Sequence, residues 1–357
     1  MKSTRNRIVL IVVVVLAAVL VWYVHGRIHF NWRVFVEQLR AADWGRIALA
    51  LGCIYFGYVL RGARWVWLIR HQKRMSILHL VGTQVIGFTA VALIGRVADL
   101  VRPYLVARKV NLPLGSQIGA YVVERLFDAG SMALIASSVI LLAPVGAVPH
   151  PEVVRRAGVW GLAMTVAGAL FLVAVRLAGH TVASLLGRAG NMVSRRFGAA
   201  VEEKVNSFHR GLDTMRSFSD FAVVLSLSLG MWLLITLAYM ETMRAFVASP
   251  QLAAITPGKS VLMMVFSGAA STIQLPVLGW FTQIGLVAAA ISGFFGVAPE
   301  PAMGCAATLL LVTFLGIVPV GLIWARFERI SLIRVAVESE HAGEELAHAA
   351  PASAPRI

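Results

Sequence analysis

Long apolar runs alternate with shorter polar connections along most of the chain. An α-helix needs roughly 20 mostly apolar residues to cross a bilayer. The pattern predicts crossings at about residues 8–24, 47–69, 118–143, 158–177, 220–243 and 302–325. The first run follows Lys2, Arg5 and Arg7 and lacks a clean small-residue cleavage site. We therefore interpret it as an uncleaved anchor rather than a signal peptide that is removed.

Two further apolar stretches are interrupted by residues that disfavour a continuous helix. The stretch 75–108 contains Gly82, Gly87 and Gly95, and the stretch 258–298 is divided around Pro276. Irregular backbone at membrane depth is tolerated only where protein or a water-filled cavity surrounds it. We therefore favour re-entrant hairpins. Pairs of short full spans are the alternative interpretation. Two such hairpins entering from opposite faces resemble the inverted repeats of transporters.

The predicted fold is an all-α, polytopic helical membrane bundle with about six full spans and two broken segments, about eight helices in all. We place this transmembrane domain at residues 1–330. Within it, the segment 178–219 is predicted to be cytoplasmic and to hold an amphipathic helix at 194–216, lying on the inner leaflet or packed beneath the bundle. Residues 331–357 are acidic and then rich in Ala and Pro, which predicts a disordered tail.

Composition and charge agree with a membrane protein. Hydrophobic residues make up 59% of the chain, charged residues 14%, and the mean hydropathy is +0.79, well beyond a soluble domain. Lys and Arg concentrate in connections that share one side, around residues 2–7, 70–109, 176–216 and 326–356. By the positive-inside rule, that side, with both termini, is the cytoplasmic side of a cell membrane. The net charge of +15 then reflects insertion and anionic lipid rather than nucleic acid.

Charged residues at membrane depth are the candidate functional groups, because each is costly to insert and tends to be paired or to face a cavity. They form three groups with helical spacing: Arg61 and Arg64; Arg96, Asp99 and Arg102; Glu124, Arg125 and Asp128. Arginine forks bind phosphate bidentately, so we favour a phospholipid headgroup site near the inner leaflet. The alternative is snorkelling arginines and internal ion pairs that only hold the helices together.

Two of these groups resemble the signatures of a known family. The run from Gly95 to Leu105 resembles the Gly-Glu-x-x-Arg-Pro-type signature of the lysylphosphatidylglycerol synthase transmembrane-region family, and Glu124-Arg125-Leu126-Phe127-Asp128 matches its Glu-Arg-x-x-Asp signature. Arg61 and Arg64 fit its basic position in the preceding span. The resemblance covers roughly residues 5–330 and implies a flippase-like, multi-pass bacterial or archaeal protein that moves or handles lipids.

The chain departs from the family pattern at two positions. Asp99, three residues before Arg102, differs in spacing from the family's first acid, and Gln283 stands where the family has a glutamate. The soluble aminoacyl-transfer domain of full-length synthases has no counterpart, so we do not expect this chain to make lysylphosphatidylglycerol. The predicted substrate-binding residues are Arg61, Arg64, Arg96, Asp99, Arg102, Glu124, Arg125, Asp128 and Gln283.

The favoured function is a lipid translocase or transporter, not an enzyme, with a polar cavity between the broken segments lined by Arg61, Arg64, Arg102 and Arg125. One alternative is an intramembrane lipid-modifying enzyme that uses Glu124 or Asp128 as its acid–base group. Another is an accessory subunit of an envelope assembly complex. The expected partners are membrane lipids; a homo-oligomer and an envelope-biosynthesis partner stay open. Neither a cofactor nor a metal is expected, and the two cysteines lie in apolar stretches.

Overall fold

The protein is represented by a computed structural model that describes residues 31–142, 151–192, 194–212, 217–271 and 278–349. The predicted first span at 8–24 lies outside these residues. All the secondary structure in the described part of the chain is helical, which confirms the predicted all-α class. The first half comprises α1 (Trp32–Arg40), α2 (Trp44–Ile69), α3 (Ile77–Ile94), a 3-10 turn (Arg96–Leu100), α4 (Val101–Val110), α5 (Leu114–Leu142) and α6 (Pro151–Asn191).

The second half continues the same helical pattern. It comprises α7 (Arg195–Leu212), α8 (Phe218–Arg244), the single turn α9 (Pro250–Ala253), α10 (Pro257–Ala270), α11 (Leu278–Phe295), α12 (Pro299–Leu310), a π-helical turn (Leu311–Leu315), α13 (Ile317–Phe327) and α14 (Leu332–Ala349). Helix α6 has non-helical backbone angles at Ala178, where two helical pieces meet at a kink.

Several described helices are long and apolar enough to cross a membrane. They are Trp44–Ile69, Ile77–Ile94, Leu114–Leu142, Ser219–Arg244 and Pro299–Phe327. All but Ile77–Ile94 coincide with predicted spans. The predicted span 158–177 lies within α6, which runs antiparallel to α5 because Gly161 lies against Ser137. The chain is therefore a polytopic helical membrane protein.

Helices α2 and α8 form an antiparallel pair that defines the two ends of the bundle. At one end, the Nη1 of Arg46 lies 2.6 Å from the Oε2 of Glu241. At the other, Arg70 forms an ion pair with Asp220. We call the end that holds Arg70 the basic end, because the charged connection from Arg70 to Lys73 lies there, and the other the opposite end.

The first broken segment is an antiparallel hairpin, hairpin 1, formed by α3, the 3-10 turn and α4. At its base, the Nζ of Lys73 donates to the carbonyl oxygen of Val110 over 2.8 Å. Deeper in the hairpin, the Nη1 of Arg102 lies 3.3 Å from the Oε1 of Gln84. The chain reverses at Gly95, whose φ of 91° is a left-handed conformation that glycine adopts readily. Hairpin 1 thus enters and leaves at the basic end, as the charge count predicts.

The predicted breaks at Gly82 and Gly87 are wrong, because α3 is continuous through both. A Cβ atom at Gly82 would collide with the indole of Trp324, and one at Gly87 would collide with the side chain of Arg102. Both glycines therefore allow close packing within a straight helix. Only Gly95 ends it.

The second broken segment also forms an antiparallel hairpin, hairpin 2, made of α10 and α11. The rings of Phe266 and Phe294 lie 5.9 Å apart, and the ammonium of Lys259 lies 5.5 Å from the ring of Phe295. Arg244, at the end of α8, donates from its Nε to the carbonyl of Ile255 just before the hairpin, over 3.0 Å. Hairpin 2 therefore opens at the opposite end. The connection 272–277, with Gln274 and Pro276, lies outside the described residues.

The carboxyl-terminal segment differs from its prediction. Residues 332–349 form helix α14 instead of a disordered tail, and Val335, Ala336 and Ser339 are buried. Val335 and Ala336 join a core with Ile86 and Ala90 of hairpin 1. Burial of this apolar face supplies the free energy that stabilises the helix. Residues 350–357 lie outside the described part.

The amphipathic segment is packed rather than isolated. Helix α7 lies antiparallel to the end of α6, with Gly190 against Gly198, and it also contacts α5. The predicted amphipathic helix is therefore present and packs against α5 and α6.

Candidate functional site

The centre of the charged cluster is Arg64, whose side chain is 1% exposed. Its Nη2 lies 2.6 Å from the Oε1 of Glu124, and its Nη1 lies 2.6 Å from the Oδ1 of Asp128. The Nη1 also lies 2.7 Å from the hydroxyl of Ser228. Glu124 and Asp128 are four residues apart and therefore share one face of α5. Arg64 thus joins α2, α5 and α8 through one buried network.

Hairpin 1 adds a second buried arginine to this network. Arg102, 1% exposed, places its Nη1 3.3 Å from the Oε1 of Glu124, the same oxygen that Arg64 contacts. Its aliphatic stem passes Gly87, where a larger residue would collide with it. Glu124 therefore fixes the position of hairpin 1 relative to α2 and α5.

Aromatic rings cover the arginines on their other faces. The guanidinium carbons of Arg61 and Arg102 lie 4.7 and 4.4 Å from the centroid of Phe88, so this ring lies against both. Tyr121 lies 4.8 Å from Arg102 and 5.3 Å from Arg125. These distances are within the range of cation–π attraction, which strengthens where water is excluded.

The cluster carries more positive than negative charge. Four guanidinium groups (Arg61, Arg64, Arg102 and Arg125) contact two carboxylates (Glu124 and Asp128), an excess of two positive charges. Three buried donors have no hydrogen-bond partner among the described residues: Arg61 Nη1, Arg64 Nε and Arg102 Nε. Excess positive charge and unpaired donors favour an anion nearby, since unpaired buried charge is costly.

Arg61 differs from its neighbours. Its Nη1 lies 3.8 Å from Glu124 and 3.6 Å from Asp128, too far for hydrogen bonds, and its side chain is 12% exposed. Arg125 has a close partner, Asp128 at 3.0 Å, but its side chain is 42% exposed on the bundle surface. Arg61 is thus a largely buried cation with loose carboxylate contacts.

Arg61 lines a central cavity of about 190 Å³. The cavity lies near the midpoints of α2 and α8, beside Gly57 and Met231, and hairpin 2 and the π-helical turn form other parts of its wall. Its polar lining is Tyr58, Arg61, Trp232, Tyr239, Ser267, Ser271, Gln283 and Thr313. Short π-helical turns are frequent at functional sites, and here the turn contributes Thr313 and Phe314.

The structure places the predicted residues in three settings. Arg64, Arg102 and Arg125 belong to the charged cluster but do not line the central cavity, so that part of the cavity prediction is wrong. Gln283 lines the cavity with Arg61, and its Nε2 donates to the hydroxyl of Ser267 over 3.3 Å.

The 3-10 turn of hairpin 1 holds the two remaining predicted residues. Asp99 is half-buried there and is not a partner of the four described guanidinium groups. The side chain of Arg96 lies outside what the structure describes.

Sequence reasoning missed Phe88, Tyr121 and Ser228. Each lies in an apolar run where aromatic residues and serine are ordinary, so no signal separates it from core residues. No group of three or more His, Cys, Asp or Glu side chains that could hold a metal occurs among the described residues.

Comparison with known proteins gives one match. The family model described as the lysylphosphatidylglycerol synthase transmembrane region matches residues 9–321 of the 357-residue chain. The chain therefore belongs to this family. Neither a curated protein nor a solved structure matches it.

Proposed function

We propose that this member of the lysylphosphatidylglycerol synthase transmembrane-region family is a translocase or transporter of phospholipid-type lipids. The observation that carries the proposal is Arg61, a loosely paired guanidinium that lines a cavity at mid-depth beside a cluster with excess positive charge. Transporters of lipid-like and polar solutes commonly place their binding sites near the bilayer midplane, between segments that enter from opposite faces. Here, hairpins 1 and 2 enter from opposite ends, and hairpin 2 lines the cavity whereas hairpin 1 contributes no lining residue.

Arg61 is the proposed contact for the headgroup phosphate. A guanidinium can donate two parallel hydrogen bonds to phosphate, and the Nη1 of Arg61 has no hydrogen-bond partner among the described residues. Arg64 and Arg102 have a positioning role, because Glu124 and Asp128 hold them away from the cavity. This division of roles refines the headgroup site that the sequence predicts.

In the proposed orientation, the basic end lies on the cytoplasmic side of a cell membrane. Arg70, Lys73 and Arg329 lie in connections at that end, Lys109 lies in the last turn of α4, and positively charged connections are retained on the cytoplasmic side. With this orientation, hairpin 1 enters from the cytoplasm and hairpin 2 from outside.

We also propose that the chain is not an enzyme. An acid–base catalyst needs a carboxyl group within hydrogen-bond reach of a substrate. Glu124 and Asp128 are instead held by Arg64, Arg102 and Arg125.

The test is lipid translocation by the purified protein reconstituted in liposomes, with labelled anionic, zwitterionic and aminoacylated phospholipids. Wild-type protein should move at least one class, and Arg61→Gln should reduce that rate about tenfold or more, the effect of losing hydrogen bonds to a charged group. Arg125→Gln is the matched control: it removes the same charge from the cluster but lies outside the cavity. Absence of translocation by folded wild-type protein, or equal loss in both variants, would overturn the proposal.

A further inference from the structure

A second cavity, of about 300 Å³, lies at the basic end of the bundle. Hairpin 1, the end of α13 and the start of α14 form its walls, and it shares no lining residue with the central cavity. Its charged lining consists of Arg108, Lys109, Arg329, Arg334, Glu328 and Glu338. The proposed transport function does not use any of these residues.

Both carboxylates of this basic-end cavity already have partners. The Oε1 of Glu328 accepts from the Nζ of Lys109 at 2.6 Å and from the indole nitrogen of Trp324 at 3.1 Å. The Oε2 of Glu338 accepts from the hydroxyl of Tyr104 at 3.0 Å.

The cations of the lining are not paired equally. Arg108 lies 3.6 Å from the Oε2 of Glu338, whereas Arg329 and Arg334 have no carboxylate partner in the part of the chain that the structure describes. Counting the four cations and two carboxylates of the lining gives two excess positive charges. Arg329 and Arg334 are the cations left to bind an anion.

Arg329 also has an unusual backbone conformation at the end of α13. Arg329 has a φ of 55°, in the left-handed region, and the amide of Ile330 then donates to the carbonyl of Ala325 over 2.8 Å, which closes α13. Glycine is the usual residue at this position of a helix end, because it lacks the Cβ atom that makes the conformation unfavourable. Arg329 therefore lines the cavity from a helix-end position that glycine usually occupies.

A buried hydroxyl completes the set. Thr83 is a lining residue of the cavity and is only 1% exposed, and its buried Oγ1 has no hydrogen-bond partner among the described residues. Thr83 precedes Gln84, which accepts from Arg102. A ligand of this hydroxyl would therefore contact the part of hairpin 1 that holds Arg102.

We infer that the basic-end cavity is a second anion-binding site, which takes a phosphate group between Arg329, Arg334 and the hydroxyl of Thr83. Guanidinium groups and a hydroxyl are the donors that phosphate prefers. Leu78, Phe327 and Ile333 are exposed at the same end, so the apolar surface around the cavity favours the headgroup of a membrane phospholipid. A soluble phosphate is the other source of the same chemistry.

The test measures binding of short-chain phosphatidylglycerol and of inorganic phosphate to the full chain, by native mass spectrometry and by thermal shift in detergent. Every protein carries Arg61→Gln, so that the central cavity contributes equally throughout. Arg329→Gly should weaken binding about tenfold, the loss expected for hydrogen bonds to a charged group, and should leave the melting temperature without ligand unchanged or higher, since glycine relieves the left-handed backbone. Arg334→Gln, at an exposed position, should weaken binding in the same direction.

Two matched controls separate charge from backbone. Asn111→Gly relieves the other left-handed non-glycine residue at this end, with a φ of 59°, and should not change binding. Arg326→Gln removes an exposed cation that does not line the cavity, and should also leave binding unchanged.

If Arg329→Gly lost binding of phosphatidylglycerol but not of inorganic phosphate, the result would support the site with a lipid as its ligand. Loss of inorganic phosphate binding alone would support the site with a soluble ligand. Equal binding by Arg329→Gly and its parent, or equal loss in Arg326→Gln, would overturn the inference. The proposed function depends on Arg61 and would stand in either case.

Discussion

The two hairpins enter the bundle from opposite ends but are held by different forces. Hairpin 1 carries Arg102, a buried cation whose nearest counter-ion is Glu124 of α5. Hairpin 2 carries Gln283, which makes a neutral hydrogen bond to Ser267 within the same hairpin. Hairpin 2 also packs in an apolar core that includes Met263 and Ile291, and the hydroxyl of Ser260 donates a neutral hydrogen bond to the carbonyl of Thr236 over 3.2 Å.

The difference follows from the energetics of charge at membrane depth. A buried arginine needs a fixed carboxylate, so hairpin 1 can move only if Arg102 and Glu124 move together. Apolar packing and neutral hydrogen bonds impose no such condition on hairpin 2. We therefore expect hairpin 1 to be the fixed wall of the bundle and hairpin 2 the wall of the central cavity that adjusts to a ligand.

The largest effect should come from Glu124→Gln, which removes the counter-ion shared by Arg64 and Arg102. Leaving a buried charge unpaired costs roughly 3–5 kcal/mol, so we expect a large loss of folded protein. The measurement is thermal unfolding in detergent, with yield of monodisperse protein. Glu241→Gln is the control, because its partner Arg46 has a side chain that is 41% exposed, and a change below about 1 kcal/mol is expected. Equal destabilisation by both changes would contradict the role of Glu124.

A steric change should distinguish the hairpins next. A Cβ at Gly87 would collide with the side chain of Arg102, whereas one at Gly285 of hairpin 2 would meet no atom within 4 Å. Gly87→Ala should therefore cost about 1–3 kcal/mol through overpacking. Gly285→Ala should be neutral or slightly stabilising, because alanine favours helix. Thermal unfolding of the two variants side by side is the measurement, and a neutral Gly87→Ala would argue against close packing of the hairpin 1 limbs.

Gln283→Glu would place in the central cavity the acid that the family signature carries. A carboxylate there should compete with a lipid phosphate for Arg61, so translocation of anionic phospholipids should fall several-fold, in line with charge interactions at reduced dielectric. Gln283→Asn, which stays neutral, should keep most of the rate. Reconstituted liposomes provide the assay. Faster movement of anionic lipid by Gln283→Glu would refute the competition.

The smallest effect on stability should come from Arg61→Gln. Arg61 makes no hydrogen bond to either carboxylate, and its removal lowers the excess positive charge of the cluster, so we expect the free energy of unfolding to change far less than on loss of Arg64. Arg64→Gln, one helical turn away, should cost roughly 3–5 kcal/mol because it strands Glu124 and Asp128. The measurement is denaturation in detergent. If both variants were destabilised equally, Arg61 would belong to the scaffold, and the transport proposal would lose its main support.

Local spacing was enough to predict the charged cluster. Glu124 and Asp128 share a helix face because they are four residues apart, and the cost of charge at membrane depth predicts arginine partners. The hairpin base was predictable for a similar reason: Lys73 and Lys109 flank one apolar stretch, so both ends of that stretch belong on one side. These inferences depend only on neighbours along the chain and on the membrane as solvent.

Spacing could not separate Arg61 from Arg64. Three residues along a helix rotate a side chain by roughly 60° net, and only the packing of α8 and hairpin 2 places one arginine in the cavity and the other among carboxylates. The glycines of α3 were misread for a related reason. Whether Gly87 breaks a helix or admits Arg102 depends on what lies opposite, which local sequence does not specify.

Residue types and their spacing were enough to identify this chain as a helical membrane protein of its family, with most crossings, the charge asymmetry and a paired charged cluster. Those properties follow from transfer free energies and helical periodicity, which act residue by residue. Tertiary packing sets three further features: which arginine lines the central cavity, the packing of α14 on hairpin 1, and the basic-end cavity between them. These features depend on contacts between segments far apart in sequence, and such contacts exist only after the helices have packed.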